Sequence, residues 1–395
     1  MIKFIRNSYR INFTPDPDNE LEIMKYLEMI GRVCYKSEDK ITEDSAIKFI
    51  NMLRDRKHWA MLEHYIISIR IKDQDTWDAL TSSKFRNCGN ADLQRSLNFI
   101  SADRYADFGI VTGSFTAFNN LIDTINKSND EALYAAFGKL LSFLHEKYPN
   151  LIIELNYTTH FEHIYRYTED DFKILPKEYI SNLPVNLRIN HDWLSVKFIV
   201  ERSSTHDLVR HRLASYAQES TRYCNYANKG LEFIIPCQFS KCDKEFLEDP
   251  DVIDEIINSS KRHDLTNACD LPGVICSDLY NQFKIDMKPS VIRWVLAINN
   301  IANVYTDLVS SRNWSVQEAK SVLPQCLKAE INITATLQEW HHIFDMRASK
   351  AAFPQIQEVM YPLLGYAIDM YPGIFDDLKS RYEEGGSYGS DITRS

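Results

Sequence analysis

Residues 203–226 read S-S-T-H-D-L-V-R-H-R-L-A-S-Y-A-Q-E-S-T-R-Y-C-N-Y, and the reading of the whole chain turns on them. Arg210, His211, Arg212 and Arg222 place four potential positive charges in thirteen positions, on a chain with 45 Lys+Arg against 55 Asp+Glu. Fixed guanidinium groups repel one another unless something neutralises them, so a basic cluster on an acidic protein points to an anion. Each charge-assisted bond to such an anion is worth about 1.5–3 kcal/mol when shielded from water. The alternative is a solvated helix end whose arginines follow the helix dipole. Ser203, Ser204 or Thr205 can cap a short helix through Leu208 and Val209 that ends near Arg212. If Ser220 to Tyr223 is extended, Ser220 and Arg222 share one side, about 7 Å apart, and Thr221 and Tyr223 the other. A hydroxyl and a guanidinium facing an arginine-loaded helix end make a nucleotide pocket.

Working outward, Leu194, Val196, Phe198 and Val200 alternate into a strand that delivers the chain to this stretch. Leu231 to Pro236 reads as another strand, Asp251–Ile257 as a helix, Val291–Leu308 as a long apolar helix, and Val316 to Pro324 as a short one. Lys328–Ala335 alternates as a strand. Thr336-L-Q-Glu339 has the form of a capping box opening a helix. On that helix Leu337, Trp340, Phe344 and Arg347 fall on one face. An arginine on an apolar stripe is costly without a partner, so Arg347 is read as aimed into a closed pocket rather than snorkelling at a helix end.

Toward the N-terminus, Met1–Phe13 alternates loosely as a first strand. Leu21–Ile30 has helical spacing with Gly31 just past its end, and Cys34–Ser37 is a turn. Thr42 is placed to cap a helix bearing Ala46, Ile47, Ile50 and Leu53. His58, Glu63 and His64 do not have zinc-helix spacing. Residues 72–192 are expected to be an insertion enlarging a single fold spanning 1–395, with a strand–turn–helix at Phe108–Phe118 and a helix at Ala132–Leu144. Pro176 and Pro184 read as connectors, His160 and His163 as a polar-loop pair, and 383–395 as a flexible tail.

Hydrophobic content of 44% with 25% charged residues is that of a soluble globular protein. No apolar run reaches a membrane span, the first residues have no signal-peptide core, and the acidic balance argues against general nucleic-acid binding. The eight cysteines contain no C-x-x-C, and Cys237 and Cys242 lack a second ligand pair, so no metal is expected and reduced cytoplasmic thiols are.

Arg210-His211-Arg212, seven residues, then Ser220, with the flanking L-A-S-Y-x-Q-E-S-T-R-Y, resembles the signature of the flavin-dependent thymidylate synthases. The His58…Glu63-His64 segment, A-K-S-V-L-P before Pro324, and Arg347 at 23 positions beyond it resemble two further blocks of that family. Together the likeness covers 130 of 395 residues. It implies an α+β fold, a mixed or antiparallel sheet flanked by helices, here with a large inserted region. It implies reductive methylation of dUMP at C5 with methylenetetrahydrofolate, FAD and NADPH, in a cytoplasmic homotetramer with shared sites. By resemblance, Arg210, His211, Arg212, Gln218, Thr336, Gln338, His342 and Ala60 meet FAD. Asp207, Arg210, Gln218, Ser220, Thr221, Arg222 and Lys320 line the dUMP site, with Ser220 and Arg347 catalytic and Arg347 polarising the uracil. Lys320, Thr336, Gln338 and Ala60 depart from common forms of the pattern, where Arg, Asn, Arg and Thr can stand. The rivals are hydroxymethylation of a pyrimidine deoxynucleotide on the same fold and a nucleotide-binding relative without turnover. A cysteine-dependent synthase reading of Pro236-Cys237 does not suit a strand end straight after the arginine motif.

Overall fold

The computed structural model describes residues 2–56, 58–86, 91–128, 130–156, 166–263 and 271–384. Among them are strands β1 (Ile2–Ile5), β2 (Ser8–Ile11), β3 (Ile66–Ile71), β4 (Ile100–Tyr105), β5 (Phe108–Ser114), β6 (Phe172–Leu175), β7 (Trp193–Glu201), β8 (Ser215–Gln218), β9 (Leu231–Ile234) and β10 (Lys328–Thr336). They form two antiparallel four-stranded sheets, β2–β7–β10–β8 and β4–β5–β3–β6, and a parallel pair, β1–β9. With the helices around them this is an α+β fold.

The alternation in β7 decides the central sheet. Leu194, Val196, Phe198 and Val200 are all buried, and register places them opposite Ala335, Ile333, Ile331 and Ala329 of β10. This face packs under Trp340 and Phe344 of the helix Leu337–Arg347. Burying each large side chain there stabilises the fold by about 1.5–3 kcal/mol. The opposite face of the same strands is polar and buried too. Thr334 Oγ1 donates to Ser195 Oγ (2.8 Å), Asn12 Nδ2 donates to Ser195 Oγ (2.9 Å) and Asn332 Oδ1 (3.0 Å), and His64 Nδ1 meets Thr334 Oγ1 at 2.9 Å.

Residues 72–192 do not stand apart. Their strands β4, β5 and β6 build a sheet on β3, and their helices Phe115–Ser128 and Glu131–Lys147 share one hydrophobic core with Ile23–Ile71. The strand–turn–helix expected at 108–118 is β5 running into Phe115–Ser128.

Several local expectations are corrected. The single first strand is two, in different sheets, broken where buried Asn7 turns its Nδ2 to the Gln355 carbonyl (3.1 Å) and Glu358 (2.8 Å). Gly31 lies inside the helix Glu20–Val33, where a Cβ would stand 2.7 Å from the Phe49 ring. Asp44, not Thr42, precedes the helix Ser45–Asp55. Pro176 and Pro184 open the helices Lys177–Ser181 and Val185–His191, their fixed φ suiting a helix start. The pair His160 and His163, and 385–395 of the expected tail, lie outside the described residues.

Candidate active site

β7 runs straight into the helix Arg202–Leu208, so its N-cap is Glu201, without a side-chain capping bond, and Ser203, Ser204 and Thr205 fall inside the helix. The helix stops at Leu208, earlier than its arginines suggested. The Arg210-His211-Arg212 turn is closed by Tyr216 of β8, whose hydroxyl stands 2.7 Å from the Leu208 carbonyl and 2.6 Å from that of His211. Tyr216 was not singled out from sequence; its place four residues past the motif was the available signal.

In this turn His211 is buried while Arg210 and Arg212 are exposed. Arg347 Nε donates to His211 Nε2 (3.1 Å), its Nη2 donates to the Asp207 carbonyl (2.9 Å), and Nη1 lies 3.6 Å from the Asp207 carboxylate. Burial, and then the Arg347 guanidinium, lower the His211 pKa to about 4. At neutral pH the ring is therefore uncharged, and because Nε2 accepts from Arg347 its proton resides on Nδ1. His342, exposed five residues before Arg347 on the same helix, sets its ring edge-on to His211 at 5.2 Å. Arg347 thus ends an apolar stripe, as read, but in a partly open corner held by its own chain.

A second group sits at the other end of β8, four residues or roughly 13 Å away. The extended conformation expected for Ser220–Tyr223 is overturned: residues 221–223 form a turn. The Ser220 amide leaves the sheet to donate to the Cys34 carbonyl (3.1 Å), and the Arg222 amide donates to Ser220 Oγ (3.3 Å). Ser220 and Arg222 are therefore neighbours through a hydroxyl turn rather than through strand alternation. Arg222 Nε donates to Gln317 Oε1 (3.4 Å) of the helix Val316–Ala319, which continues into the turn bearing Lys320. Thr221 is buried, and Gln218 Nε2 donates to Thr205 Oγ1 (2.6 Å).

Beneath this turn lies an ionic cluster that sequence reading missed. Glu219, almost fully buried, accepts from the Tyr226 hydroxyl (2.8 Å) and lies 3.5 Å from Lys328 Nζ and 3.8 Å from Lys36 Nζ. Lys328 also pairs with Glu330 and with Glu232 (3.4 Å). The lysines Lys328 and Lys197 hold Glu330 down to about 2 against its burial. Lysine and glutamate alternating in β10 were the signal.

The third place is a cleft of about 210 Å³ where the two four-stranded sheets approach. Arg212 and Thr336 line it from one side, Glu63 from the 3₁₀ turn Trp59–His64, and Phe99, Ser101 and Asn120 from the region 72–192. Thr336 also caps the helix Leu337–Arg347, accepting from the Glu339 amide (3.4 Å); the reciprocal half of the expected capping box is not formed. Gln338 and Ala60 are exposed, and Thr116 Oγ1 donates to the Trp59 carbonyl (2.6 Å) beside Ala60.

Arg210, Arg212, Arg222 and Lys320 make no ion pair among the described residues, although the chain is acidic. Two of these unneutralised cations, Arg210 and Arg212, flank the neutral His211, and the other two, Arg222 and Lys320, lie past the opposite end of β8. Residues 189–372 match the family model described as thymidylate synthase complementing protein. It is 28% identical over 204 residues to a flavin-dependent thymidylate synthase of Pyrococcus furiosus, covering 50% of this chain and 66% of that protein. With those of Mycobacterium leprae and Mycobacterium tuberculosis it shares 25% over 180 and 26% over 183 residues, covering 46% of this chain and 59% of each of theirs. The chain thus spans about three fifths to two thirds of the length of the curated relatives it matches.

Proposed function

We propose that the protein is a flavin-dependent thymidylate synthase that methylates dUMP at C5, taking the carbon from methylenetetrahydrofolate and electrons from NADPH. The observation that carries this reading is Arg347, its guanidinium fixed by Asp207 and neutral His211 at the edge of a set of unpaired cations. Uracil C5 is a weak nucleophile, and a guanidinium at the N3/O4 edge stabilises the negative charge that develops on the ring as C5 attacks. Because His211 is uncharged, it holds Arg347 without competing for that charge. Ser220 and Arg222, joined by their turn, take the nucleotide, with Asp207, Gln218, Thr221 and Lys320 completing its surroundings.

FAD suits the remaining groups. The cleft is smaller than the usual 300–1,000 Å³ of a site enclosing a whole ligand, so it takes one ring system and leaves the phosphates to exposed arginines. Arg210, Arg212, His211, Thr336, Gln338, His342 and the backbone at Ala60 would hold the flavin, which when bound supplies the hydride. A homotetramer with shared sites is supported by the distance between the two ends of β8 and by exposed Leu213, Tyr223 and Met346 beside the motif. A cytoplasmic location is supported by six free cysteines among the described residues; no described helix is long and apolar enough to cross a membrane.

The test is NADPH oxidation by the purified chain with and without dUMP, with the product mass read alongside. A dUMP-dependent rate and a methyl increment are expected. Bound flavin without dUMP-dependent turnover would overturn the enzyme reading, and a hydroxymethyl increment would replace the product.

A further inference from the structure

The helix Glu20–Val33 runs into a Schellman turn: the Lys36 amide donates to the Val33 carbonyl and the Ser37 amide to the Arg32 carbonyl, each at 3.2 Å. The residue carrying the first of these bonds takes the left-handed conformation and is usually glycine, because a Cβ is crowded there. Here it is Lys36, at φ 47°. A side chain stays in such a conformation only where its surroundings over-determine it. The surroundings of Lys36 are the ionic cluster under the Ser220 turn. Its Nζ lies 3.8 Å from Glu219 and 3.9 Å from Glu232 and stands over the Tyr226 ring at 5.6 Å, and its carbonyl accepts from Lys229 Nζ.

Residues 34–36 grip the Ser220 turn at three points. The Cys34 carbonyl takes the Ser220 amide (3.1 Å), the Tyr35 ring lies 5.6 Å from that of Tyr223, and Lys36 reaches Glu219, the residue before Ser220. Glu219 is itself still tied to the central sheet, its amide donating to the Glu330 carbonyl of β10 (2.8 Å). Lys36 therefore joins the turn that places Ser220 to the residue that β10 fixes. Without it, the Glu219 carboxylate keeps the Tyr226 hydroxyl (2.8 Å) and Lys328 (3.5 Å), so the centre of the cluster stands and the loss falls on the junction. We infer that Lys36 is a positioning residue of the nucleotide site, its ammonium holding the Cys34 turn against Glu219 so that the Ser220 hydroxyl meets the nucleotide in one place, a role that rests on the synthase reading for the nucleotide being dUMP. A lysine in a glycine position is then explained: its charge offsets the strain of its backbone.

Lys36→Met, Lys36→Gly and Lys36→Arg are to be compared in the full chain carrying flavin. Loss of the ammonium should raise the KM for dUMP about tenfold in both Lys36→Met and Lys36→Gly, with kcat within about twofold of wild type and the melting temperature near it. Lys36→Arg keeps the charge and should restore most of the affinity. Glycine relieves the backbone strain, so a rise in Lys36→Met that is absent from Lys36→Gly would assign the effect to the turn's conformation and overturn the inference. An unchanged KM in both, or a rise as large in Lys36→Arg as in Lys36→Met, overturns it too. Lys36→Gly decides the matter if Lys36→Met does not fold. Deuterium exchange at the Ser220 amide, followed without nucleotide, should quicken about tenfold in the same two variants as the junction loosens. Unchanged exchange overturns the inference independently of turnover. Quickened exchange in a chain whose wild type shows no dUMP-dependent turnover overturns the synthase reading instead.

Discussion

The two ends of β8 hold their charges in opposite ways. At its start, Arg347 is spoken for by Asp207 and His211, and Tyr216 locks the turn that carries them. Past its end, Arg222 is exposed with one long bond to Gln317, while directly beneath it Glu219 and Lys328 are sealed in an ionic cluster. A charge buried with its partner fixes geometry, whereas an exposed guanidinium supplies affinity only when a ligand arrives. The first end should therefore respond to substitution in rate, the cluster in stability, and the exposed turn in substrate affinity.

The largest effect is expected at the closed corner. Arg347→Ala should lower kcat by about 10³-fold or more, the scale of losing a preorganised electrostatic donor, with flavin still bound in the absorption spectrum. A kcat near wild type would show that the corner only braces the fold. Next comes the cluster. Lys328→Met leaves Glu219 and Glu330 without their shared cation, and should cost about 3–5 kcal/mol in urea unfolding. A loss below about 1 kcal/mol would mean that Lys36 and Lys197 suffice, and the contrast between the two ends would weaken.

Acid should expose the polar seam between the sheets. His64 is completely buried and its pKa is lowered by burial to about 4, against 6.5 for the free side chain. Between these values the unfolded chain binds a proton that the native chain refuses, so stability falls as pH drops from 6.5 toward 4, by about 3 kcal/mol from this residue. His211 acts with the same sign. Urea midpoints measured across this window should slope less in His64→Gln; an unchanged slope would assign the acid sensitivity elsewhere. At the exposed turn, Ser220→Ala and Arg222→Ala should each raise the KM for dUMP, by about 10–100-fold for loss of a charge-assisted bond, with the melting temperature near wild type. A lowered melting temperature with unchanged KM would make the turn structural.

What could be read in the sequence divides along the same line. The apolar face of β7, the register-bearing alternation of β10 and the stripe ending in Arg347 are local periodicities, and the fold reproduces them. The partners of that stripe were not legible, because His211 lies 136 positions from Arg347 and no period connects them. The turn at 221–223 escaped because its geometry is set by Cys34, whose carbonyl draws the Ser220 amide out of the sheet. The cleft wall escaped for the same reason. It exists only because β5 pairs with β3, which carries residues 99–120 to the edge of the Arg212 turn.

The smallest predicted effect bears on how far the exposed end is pre-shaped. Lys320 ends a short helix whose Gln317 already holds Arg222, so its ammonium is placed by backbone and not by any ion pair among the described residues. Replacing it by arginine keeps the charge and adds a planar fork able to bond an anion in two places. If the turn is a loose electrostatic surface awaiting ligand, the fork should adapt, and Lys320→Arg should lower the KM for dUMP by a fewfold, within about 1 kcal/mol, with kcat unchanged. If the turn is as rigidly shaped as the Arg347 corner, the longer, bulkier head will not fit, and KM will rise. Measured beside Arg222→Ala, the sign of that small change decides whether the two ends of β8 differ in kind or only in degree.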